Sequence, residues 1–347
     1  MATALRPQSN FIIMANTPKE TAYGTIVPAA TLSKHYPISE PVNVDVVRER
    51  TYDDEHIKGH EFALDTDQMT ILFQDATVPV TFPASAETCG LIYSLALGTV
   101  GTTGAGPYVH TITAQAGTTS DQLPSTSFVV GTRGQTATYY KYKGCIPNEV
   151  RYTCENRGRN SLSTTFFTDG TEVAATAGGT DFTIPTGPTA TVPFWGKNAT
   201  FKIANAGSAL VDQSTLLRSF EVTLNNNLSR EDAHGLIAGG VSLTALRFAS
   251  RMMSFSVKIW GSKGDAFYAT DFATDVLKDV ELKVTNGSND YITFNFDRCV
   301  ITEANTSFDD IRNVIELVFK PYVITASTGI SPVSLVVGST NVPVYIA

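Results

Sequence analysis

Five histidines, four cysteines and two short carboxylate clusters are the residues of this sequence that could do chemistry. His56 and His60 are four residues apart with Glu55 and Glu61 beside them, a spacing that can bind a metal ion when the segment is helical. The segment contains Gly59 and lacks helical periodicity, and no third ligand lies in evident reach. We therefore interpret these histidines as solvated loop residues and predict no metal site.

The cysteines indicate packing positions and not redox chemistry. Cys145 and Cys154 are nine residues apart, and none of the four cysteines forms a Cys-x-x-Cys pair. Because free cysteine is among the most buried residue types, we expect all four, including Cys89 and Cys299, to be buried free thiols. Buried free thiols fit synthesis in a reducing compartment such as a host cytoplasm.

The carboxylate clusters, at 53–55 and 309–310, lie in polar connections. Paired carboxylates can serve acid–base catalysis, but here neither a nucleophile nor an apolar pocket accompanies them. The sequence has no Gly-x-Ser-x-Gly, P-loop or His-Glu-x-x-His motif. We predict no catalytic residue and no cofactor, and we expect that the protein is not an enzyme.

Composition favours a β-rich protein. Charged residues make up 17 % of the 347 residues, below the roughly 25 % of typical soluble domains, while Thr, Ser, Gly and β-branched residues are abundant. The net charge of −8 argues against a basic nucleic-acid-binding surface but is compatible with a protein that lets nucleic acid pass without binding it. No stretch reaches the roughly 18 apolar residues that a membrane-spanning helix needs. The apolar run Phe11–Ala15 is too short for a signal peptide, so we expect a protein that is not classically secreted.

The stretch 123–169 predicts four short strands: Ser125–Val130, Gln135–Tyr142, Glu149–Cys154 and Asn160–Phe167. A weaker copy of this pattern lies at 279–321, including strands at Tyr291–Phe296 and Val300–Glu303. Cys145 and Cys299 occupy equivalent points in the two copies. We therefore predict two related β domains in series.

Each half also contains a predicted helix. Ala84–Leu97 has Ser85 as its N-cap and Gly98 as its C-cap, and Asp265–Val276 carries an apolar stripe at i, i+4 and i+8. Ahead of the first helix, Val42–Arg50 alternates apolar and polar residues, which predicts a half-buried strand.

Loop-rich segments set the predicted domain boundaries. These are an N-terminal arm (1–40), a first β domain (41–169) with a surface insertion (98–122), a linker (170–197), a second β domain (198–322) and a C-terminal arm (323–347). An uncharged, strand-competent tail must be covered, either by its own sheet or by the edge of a neighbouring subunit. We predict an inter-subunit arm formed by Val333, Leu335, Val337, Val342, Val344 and Ile346.

The order of several motifs carries a family resemblance. ETCGLIYSLALG is followed by PYVHTIT, LPSTSFVVG and YKYKGCIPNEV, and the second half contains SFEVTLNNNL, MMSFSVKIW and IRNVIELVFKPYV. Over residues 42–322 this order resembles the tail tube (major tail) proteins of long-tailed bacteriophages. The resemblance implies a mainly β fold of two tandem β-sandwich or barrel units, each with one flanking helix, plus extended terminal arms.

For function, the resemblance implies a virion structural protein of the phage tail. Hairpins would join edge to edge into an inner β-barrel, and stacked rings would conduct DNA at ejection without binding it specifically. Two units per chain suggest a trimeric ring that acts as a pseudo-hexamer, and a hexamer with one tube unit per chain is the alternative. The implied partners are further copies of the chain and other tail proteins. We predict a lumen or rim formed by Asp45, Arg48, Glu49, Asp53, Asp54, Glu55, Glu221, Asn225, Asn227, Glu231 and Asp232.

Two other functions stay open at this point. A capsid decoration or tail-terminator protein would form a small closed oligomer that does not stack. A β-sandwich binding module would use the Gly- and Thr-rich loops at 98–122, although a carbohydrate site there would need more exposed aromatic residues than Tyr108.

Overall fold

The protein is mainly β, as the sequence predicts. The computed structural model describes residues 10–28, 32–52, 69–116, 122–132, 138–176, 181–182, 191–229, 247–248, 250–261, 267–308, 313–322, 324, 332–340, 342 and 345. The strands of the first half are β1 (Asn10–Lys19), β2 (Leu32–Tyr36), β3 (Asp45–Tyr52), β4 (Met69–Pro83), β5 (Gly98–Thr103), β6 (Tyr108–Ala114), β7 (Thr126–Thr132), β8 (Thr138–Glu155), β9 (Ser161–Phe167) and β10 (Glu172–Ala174). Those of the second half are β11 (Ala199–Asn205), β12 (Val211–Asp212), β13 (Leu217–Asn225), β14 (Leu228–Ser229), β15 (Arg247–Phe248), β16 (Met252–Trp260), β17 (Lys278–Asn286), β18 (Asp290–Phe308), β19 (Asn313–Pro321) and β20 (Ser334–Ser339). The helical segments are α1 (Ala86–Leu97), a 3-10 turn (Gly196–Asn198) and a π-helical segment (Phe267–Phe272).

Eight strands form one continuous antiparallel run, which we call the eight-strand sheet. Its order is β3–β4–β9–β8–β13–β16–β19–β18. The first four strands come from the first half of the chain and the last four from the second. The pairing of β8 with β13 therefore joins the two halves through backbone hydrogen bonds.

The same set of pairings occurs twice. In the first half, β1 pairs with β2 and β7, β3 with β4, β4 with β9, and β8 with β7 and β9. In the second half, β11 pairs with β12 and β17, β13 with β16, β16 with β19, and β18 with β17 and β19.

The irregularities of register recur as well. Cys145 ends the regular β7–β8 register, and Cys299 ends the β17–β18 register. A second register shift lies beside Glu149 in the β8–β9 pair and beside Glu303 in the β18–β19 pair. The spacing from Cys145 to Glu149 equals the spacing from Cys299 to Glu303. The two long strands thus bend at the same relative positions.

The prediction of four strands in 123–169 was wrong in one respect. The described part of Gln135–Tyr142, which begins at Thr138, and Glu149–Cys154 belong to the single strand β8. Tyr291–Phe296 and Val300–Glu303 likewise belong to β18. A bulge adds a residue without ending a strand, so a break in alternation need not be a turn. Along its first half β8 pairs with β7 and along its second half with β9, and β18 changes in the same way from β17 to β19.

The first helix is confirmed, while the second is shorter than predicted. Ser85 caps α1 through a reciprocal bond with Thr88, and Gly98 ends it with a φ of 93°. The segment predicted as a helix over 265–276 is described as six π-helical residues and a turn, which ends at Asp275 with a φ of 51°. A positive φ cannot continue a right-handed helix.

All four cysteines are buried free thiols, as predicted. One large apolar cluster contains Cys145 and Cys299 together with α1 and the inner faces of both halves of the eight-strand sheet. Burial raises the pKa of these thiols, so they stay protonated and act as small apolar side chains. The cluster does not divide at the predicted linker.

The N-terminal segment, predicted as an extended arm, contributes β1 and β2 to a sheet with β7. Ile12, Ile13 and Met14 are fully buried there. The buried carboxylate of Glu20 accepts hydrogen bonds from the hydroxyls of Ser125 and Ser127 and from two backbone N–H groups, at 2.6–2.9 Å. These bonds fasten the segment to β7 and to the bend of β8.

The C-terminal segment covers α1. β20 lies between β18 and β6 and pairs with both. Beyond it, the Tyr345 hydroxyl donates to the carbonyl oxygen of Ala86 at 2.9 Å, and the ring occupies the space where a Cβ on Gly90 would be. The hairpin β5–β6, within the predicted insertion 98–122, is thereby built into the sheet, with His110 and Ile112 buried.

Candidate functional site

The eight-strand sheet has one apolar and one polar face. In β8, Val150, Tyr152 and Cys154 are buried, whereas the alternate residues Glu149, Arg151 and Glu155 are exposed. The other strands alternate in the same way, for instance β13 and β16. Because successive side chains of a strand point to opposite faces, the whole sheet turns one face to the core and the other outward.

We call the outward side the polar face. Its polar side chains include Asp45, Thr77, Thr81, Ser161, Ser163, Thr165, Glu149, Arg151, Thr153, Glu155, Ser219, Glu221, Thr223, Asn225, Ser254, Ser256, Lys258, Glu316, Lys320, Glu303, Asn305 and Ser307. The apolar residues of the same strands on this side are Val47, Pro79, Met252, Trp260, Val314 and Val318. Residues with hydroxyl groups are the most numerous kind in the polar set. The surface is therefore largely hydrated, and its two exposed large apolar side chains among the described residues, Val47 and Met252, lie on the separate strands β3 and β16.

Charges on the polar face are mixed, with an acidic excess. Six carboxylates, Asp45, Glu149, Glu155, Glu221, Glu303 and Glu316, stand against the basic groups Arg151, Lys258 and Lys320 of the face and Arg218 beside it. Arg151 bridges to Glu221 across the β8–β13 pairing, and the Lys258 ammonium lies 3.5 Å from the Glu316 carboxylate. The hydrogen bond from Arg151 to Glu221 raises the pKa of Arg151, which stays charged.

One end of the polar face is hollowed into an open groove of about 600 Å³. Its lining is polar and includes Glu155, Arg218, Lys258, Asn305 and Glu316. An apolar pocket with a few convergent polar groups is what a small-molecule site usually requires, and this groove does not have that character.

The two ends of the eight-strand sheet are open. Among the described strands, β3 pairs only with β4, so its other edge has no partner. The residues 300–308 of β18 pair with β19 along one edge, and no described strand pairs with the other. Open edges present unpaired N–H and C=O groups, which invite pairing with another chain.

The predicted lumen residues are partly placed by the structure. Asp45 on β3 and both Glu221 and Asn225 on β13 lie on the polar face. Asn227 follows β13 with a φ of 46°, and its side chain donates to the carbonyl oxygen of Ser250. The side chains of Arg48 and Glu49, and all of Asp53, Asp54, Glu55, Glu231 and Asp232, lie outside the described residues. A role in a lumen stays a prediction for all of them.

Sequence reasoning missed most of the polar face. Glu149, Arg151, Thr153 and the hydroxyls of β9 belong to it, because these strands lie between β4 and β13. The signal was present as strict alternation in NEVRYTCE and SLSTTFF. Alternation alone predicts a half-buried strand and does not say which strands share a face.

The four predicted arm residues that the structure describes are covered within the chain itself. Val333, Leu335, Val337 and Val342 are buried, the second and third of them on β20. Val344 and Ile346 lie outside the described residues. The sequence allowed the tail to be covered either by its own sheet or by the edge of a neighbouring subunit. In the described residues, the tail's own sheet covers it. The inter-subunit role stays a prediction, and it requires the tail to leave that sheet.

In the described part of the chain, no group of three or more His, Cys, Asp or Glu residues is placed to hold a metal ion. No described helix is long and apolar enough to cross a membrane. His110 is buried, with Nε2 donating to the carbonyl oxygen of Val342 at 2.8 Å and Nδ1 3.0 Å from the Thr102 hydroxyl, so it acts as a structural residue.

The sequence was compared with known proteins. A family described as phage tail tube protein matches residues 14–331, and no curated protein matches the chain. The match spans both halves, the whole eight-strand sheet and α1. It covers nearly the full length, so the chain belongs to the phage tail tube protein family.

Proposed function

We propose that the protein is the structural subunit of a bacteriophage tail tube, which polymerises as stacked rings around a channel that conducts DNA at ejection. One observation carries the proposal. The eight-strand sheet is covered by a core on one face, is polar on the other, and ends in two edges without a partner among the described strands. A sheet of this kind removes its open edges by closing with further copies of itself.

The chain supplies two tandem tube units in this proposal. The repeated pairings, and the bends that recur at the same relative positions of β8 and β18, support an internal duplication. Each unit contributes four strands to the eight-strand sheet. The domain boundaries at 41–169 and 198–322 follow from the sequence, and the pairings add β1 and β2 to the first unit.

Ring size follows from the strand count. Three chains of eight strands give 24 strands. Strands about 4.8 Å apart and tilted by about 40° close at a backbone diameter of roughly 50 Å. A channel of that width, lined with side chains, passes a DNA duplex. Six chains that each contribute all eight strands would give a barrel of roughly 100 Å. A hexamer with one tube unit per chain would separate β8 from β13, which pair within the chain, so we favour the trimer as a pseudo-hexamer.

The polar face forms the channel wall in this arrangement. Its hydroxyl groups keep the wall hydrated, and its acidic excess repels phosphate. A basic wall would hold DNA through the release of counterions, which would slow its passage. The protein then acts in the virion tail with other tail proteins as partners at the tube ends, and DNA passes without specific contacts.

Electron microscopy of the purified protein tests the proposal. We expect uniform tubes whose inner wall is a barrel of roughly 50 Å backbone diameter built from three chains per ring. Discrete particles that never stack at any concentration would contradict the proposal and favour a decoration or terminator protein. A barrel of twice the diameter would contradict the trimer alone.

A further inference from the structure

We infer that neighbouring chains join through an antiparallel pairing of β3 with β18 in which Val47 lies opposite Glu303, Asp45 opposite Asn305 and Asn43 opposite Ser307. This inference rests on the proposed function and deepens it, because it names the residues at which one subunit meets the next. The partner is a second copy of this chain.

Strands β8 and β18 carry the same two irregularities of register. Register shifts beside Cys145 and beside Glu149 recur at Cys299 and at Glu303, respectively. Because the two irregularities are equally far apart in both strands, one alignment of β8 with β18 superposes both. This alignment fixes the equivalence of the strands residue by residue. Arg151 is therefore equivalent to Asn305.

Strand β3 is equivalent to β13 through the strands that lie between each of them and the two long strands. Through the β8–β9 and β18–β19 pairs, Phe166 is equivalent to Phe319. Their partners on the next strands are Val78 and Phe255. Two further pairings then make β3 equivalent to β13, in the alignment that superposes Asp45 on Thr223.

The pairing of β8 with β13 within the chain can be applied to the open edges β18 and β3. Within the chain, β13 pairs with β8, and Thr223 lies opposite Arg151. Their equivalents are Asp45 and Asn305, which lie on the two open edges of the eight-strand sheet. If the contact between units repeats between chains, these two residues face each other. The ring then contains one type of joint, made alternately within and between chains.

The residues ahead of Asp45 support this register. Val42 and Val44 pack against the core, as their equivalents Phe220 and Val222 do. The sequence predicted a strand from Val42, yet β3 begins at Asp45 in the single chain. The equivalent residues of β13 are paired with β8 as well as with β16. A neighbouring β18 supplies the partner strand that residues 42–44 lack in the described chain.

Charge at the two joints also fits. Arg151 and Glu221 form an ion pair across the β8–β13 joint. Their equivalents at the β3–β18 joint are Asn305 and Asn43, so both charges are replaced by amides together. Neither joint is left with half of this ion pair, and the β3–β18 joint adds the carboxylate of Asp45 diagonally across from Glu303.

Disulfide cross-linking tests the register. Directly opposite residues have Cα atoms about 4.5–5.5 Å apart, within the reach of a disulfide, whereas neighbours displaced by two residues are about 7–8 Å apart. The test protein carries Asp45→Cys with Asn305→Cys, and displaced variants carry Asp45→Cys with Glu303→Cys or with Ser307→Cys. The four native thiols are buried and give a low background.

A matched control comes from the joint within the chain. Thr223→Cys with Arg151→Cys should form a disulfide inside one chain and no covalent oligomer, which verifies the oxidation conditions. We expect the Asp45→Cys, Asn305→Cys tubes to give a ladder of bands that ends at three chains on a non-reducing gel. The displaced variants should stay largely uncross-linked.

The possible results test the inferred register and the proposed function separately. If every variant forms tubes but a displaced pair cross-links, or none does, the register is overturned while the tube assignment stands. If the unmodified protein forms no tubes, the proposed function fails and this inference falls with it. A ladder that continues to six chains would retain the register and overturn the trimer.

Discussion

Replacing Phe294 with alanine should destabilise both halves of the chain together. Phe294 is fully buried on β18, and its ring centroid lies 5.2 Å from Tyr152, 5.7 Å from Tyr93 and 6.4 Å from Phe220. Tyr93 on α1 and Tyr152 on β8 come from the first half, whereas Phe220 on β13 comes from the second. The ring is thus shared by both halves at their junction.

The size of the effect follows from cavity formation. Truncating a buried phenylalanine costs about 3–5 kcal/mol, because the surrounding side chains collapse only partly into the space. For a single cooperative unit of 347 residues, a loss of about 4 kcal/mol lowers the melting temperature by roughly 5–6 °C. If the second half unfolded alone, the same loss would lower its own transition by roughly 15 °C.

Calorimetry of the unassembled protein distinguishes the two cases. We expect one transition that moves as a whole for Phe294→Ala. Phe294→Leu keeps most of the apolar volume and serves as the matched control, with a cost below about 1.5 kcal/mol. Two transitions of which only one moves would refute the reasoning that the core is continuous across the halves.

Three further predictions concern the joint, the channel wall and the N-terminal segment. Asn43→Glu with Asn305→Arg recreates the ion pair of the β8–β13 joint between chains, and the double variant should assemble at a critical concentration up to a few-fold lower than Asn43→Glu alone, since exposed pairs contribute about 0.2–1 kcal/mol. Glu149→Lys with Glu303→Lys makes the polar face basic, so short duplex DNA should co-sediment with these tubes and be released as salt rises. Burial raises the pKa of Glu20, so the free energy of unfolding should increase as pH falls from neutral through that raised pKa, and Glu20→Gln should remove this increase in denaturant titrations.

Each of these has a control or a contrary outcome. For the joint, a double variant that assembles no better than the single one would count against the inferred register. For the wall, Glu281→Lys on β17, outside the polar face, should leave DNA in the supernatant. For Glu20, the sign follows from linkage. The folded carboxyl binds its proton more tightly than the unfolded one, so the cost of its charge is present above the folded pKa and absent below the unfolded pKa. An unchanged slope in the Gln variant would contradict it.

Local features of the fold were predictable because short-range physics decides them. Ser85 and Gly98 bound α1 since a side-chain cap and a left-handed glycine satisfy groups at the helix ends. The alternation that begins at Val42 and the packing roles of Cys145 and Cys299 could likewise be predicted from the sequence. The second helix was overpredicted because an apolar stripe at helical spacing does not show where the backbone turns at Asp275.

Composition, period and motif order are properties of the chain alone, so they were enough to predict the mainly β character, the first helix, the alternating strands and the family. Only the folded chain shows that β8 and β18 each run on through a bulge, that β8 pairs with β13, and that β20 and Tyr345 cover α1. These depend on hydrogen bonds between residues far apart in the chain, which no local pattern specifies. The polar face forms only when eight strands from both halves lie side by side. Most of its residues, Glu149 and Asn305 among them, could therefore not be predicted from the sequence.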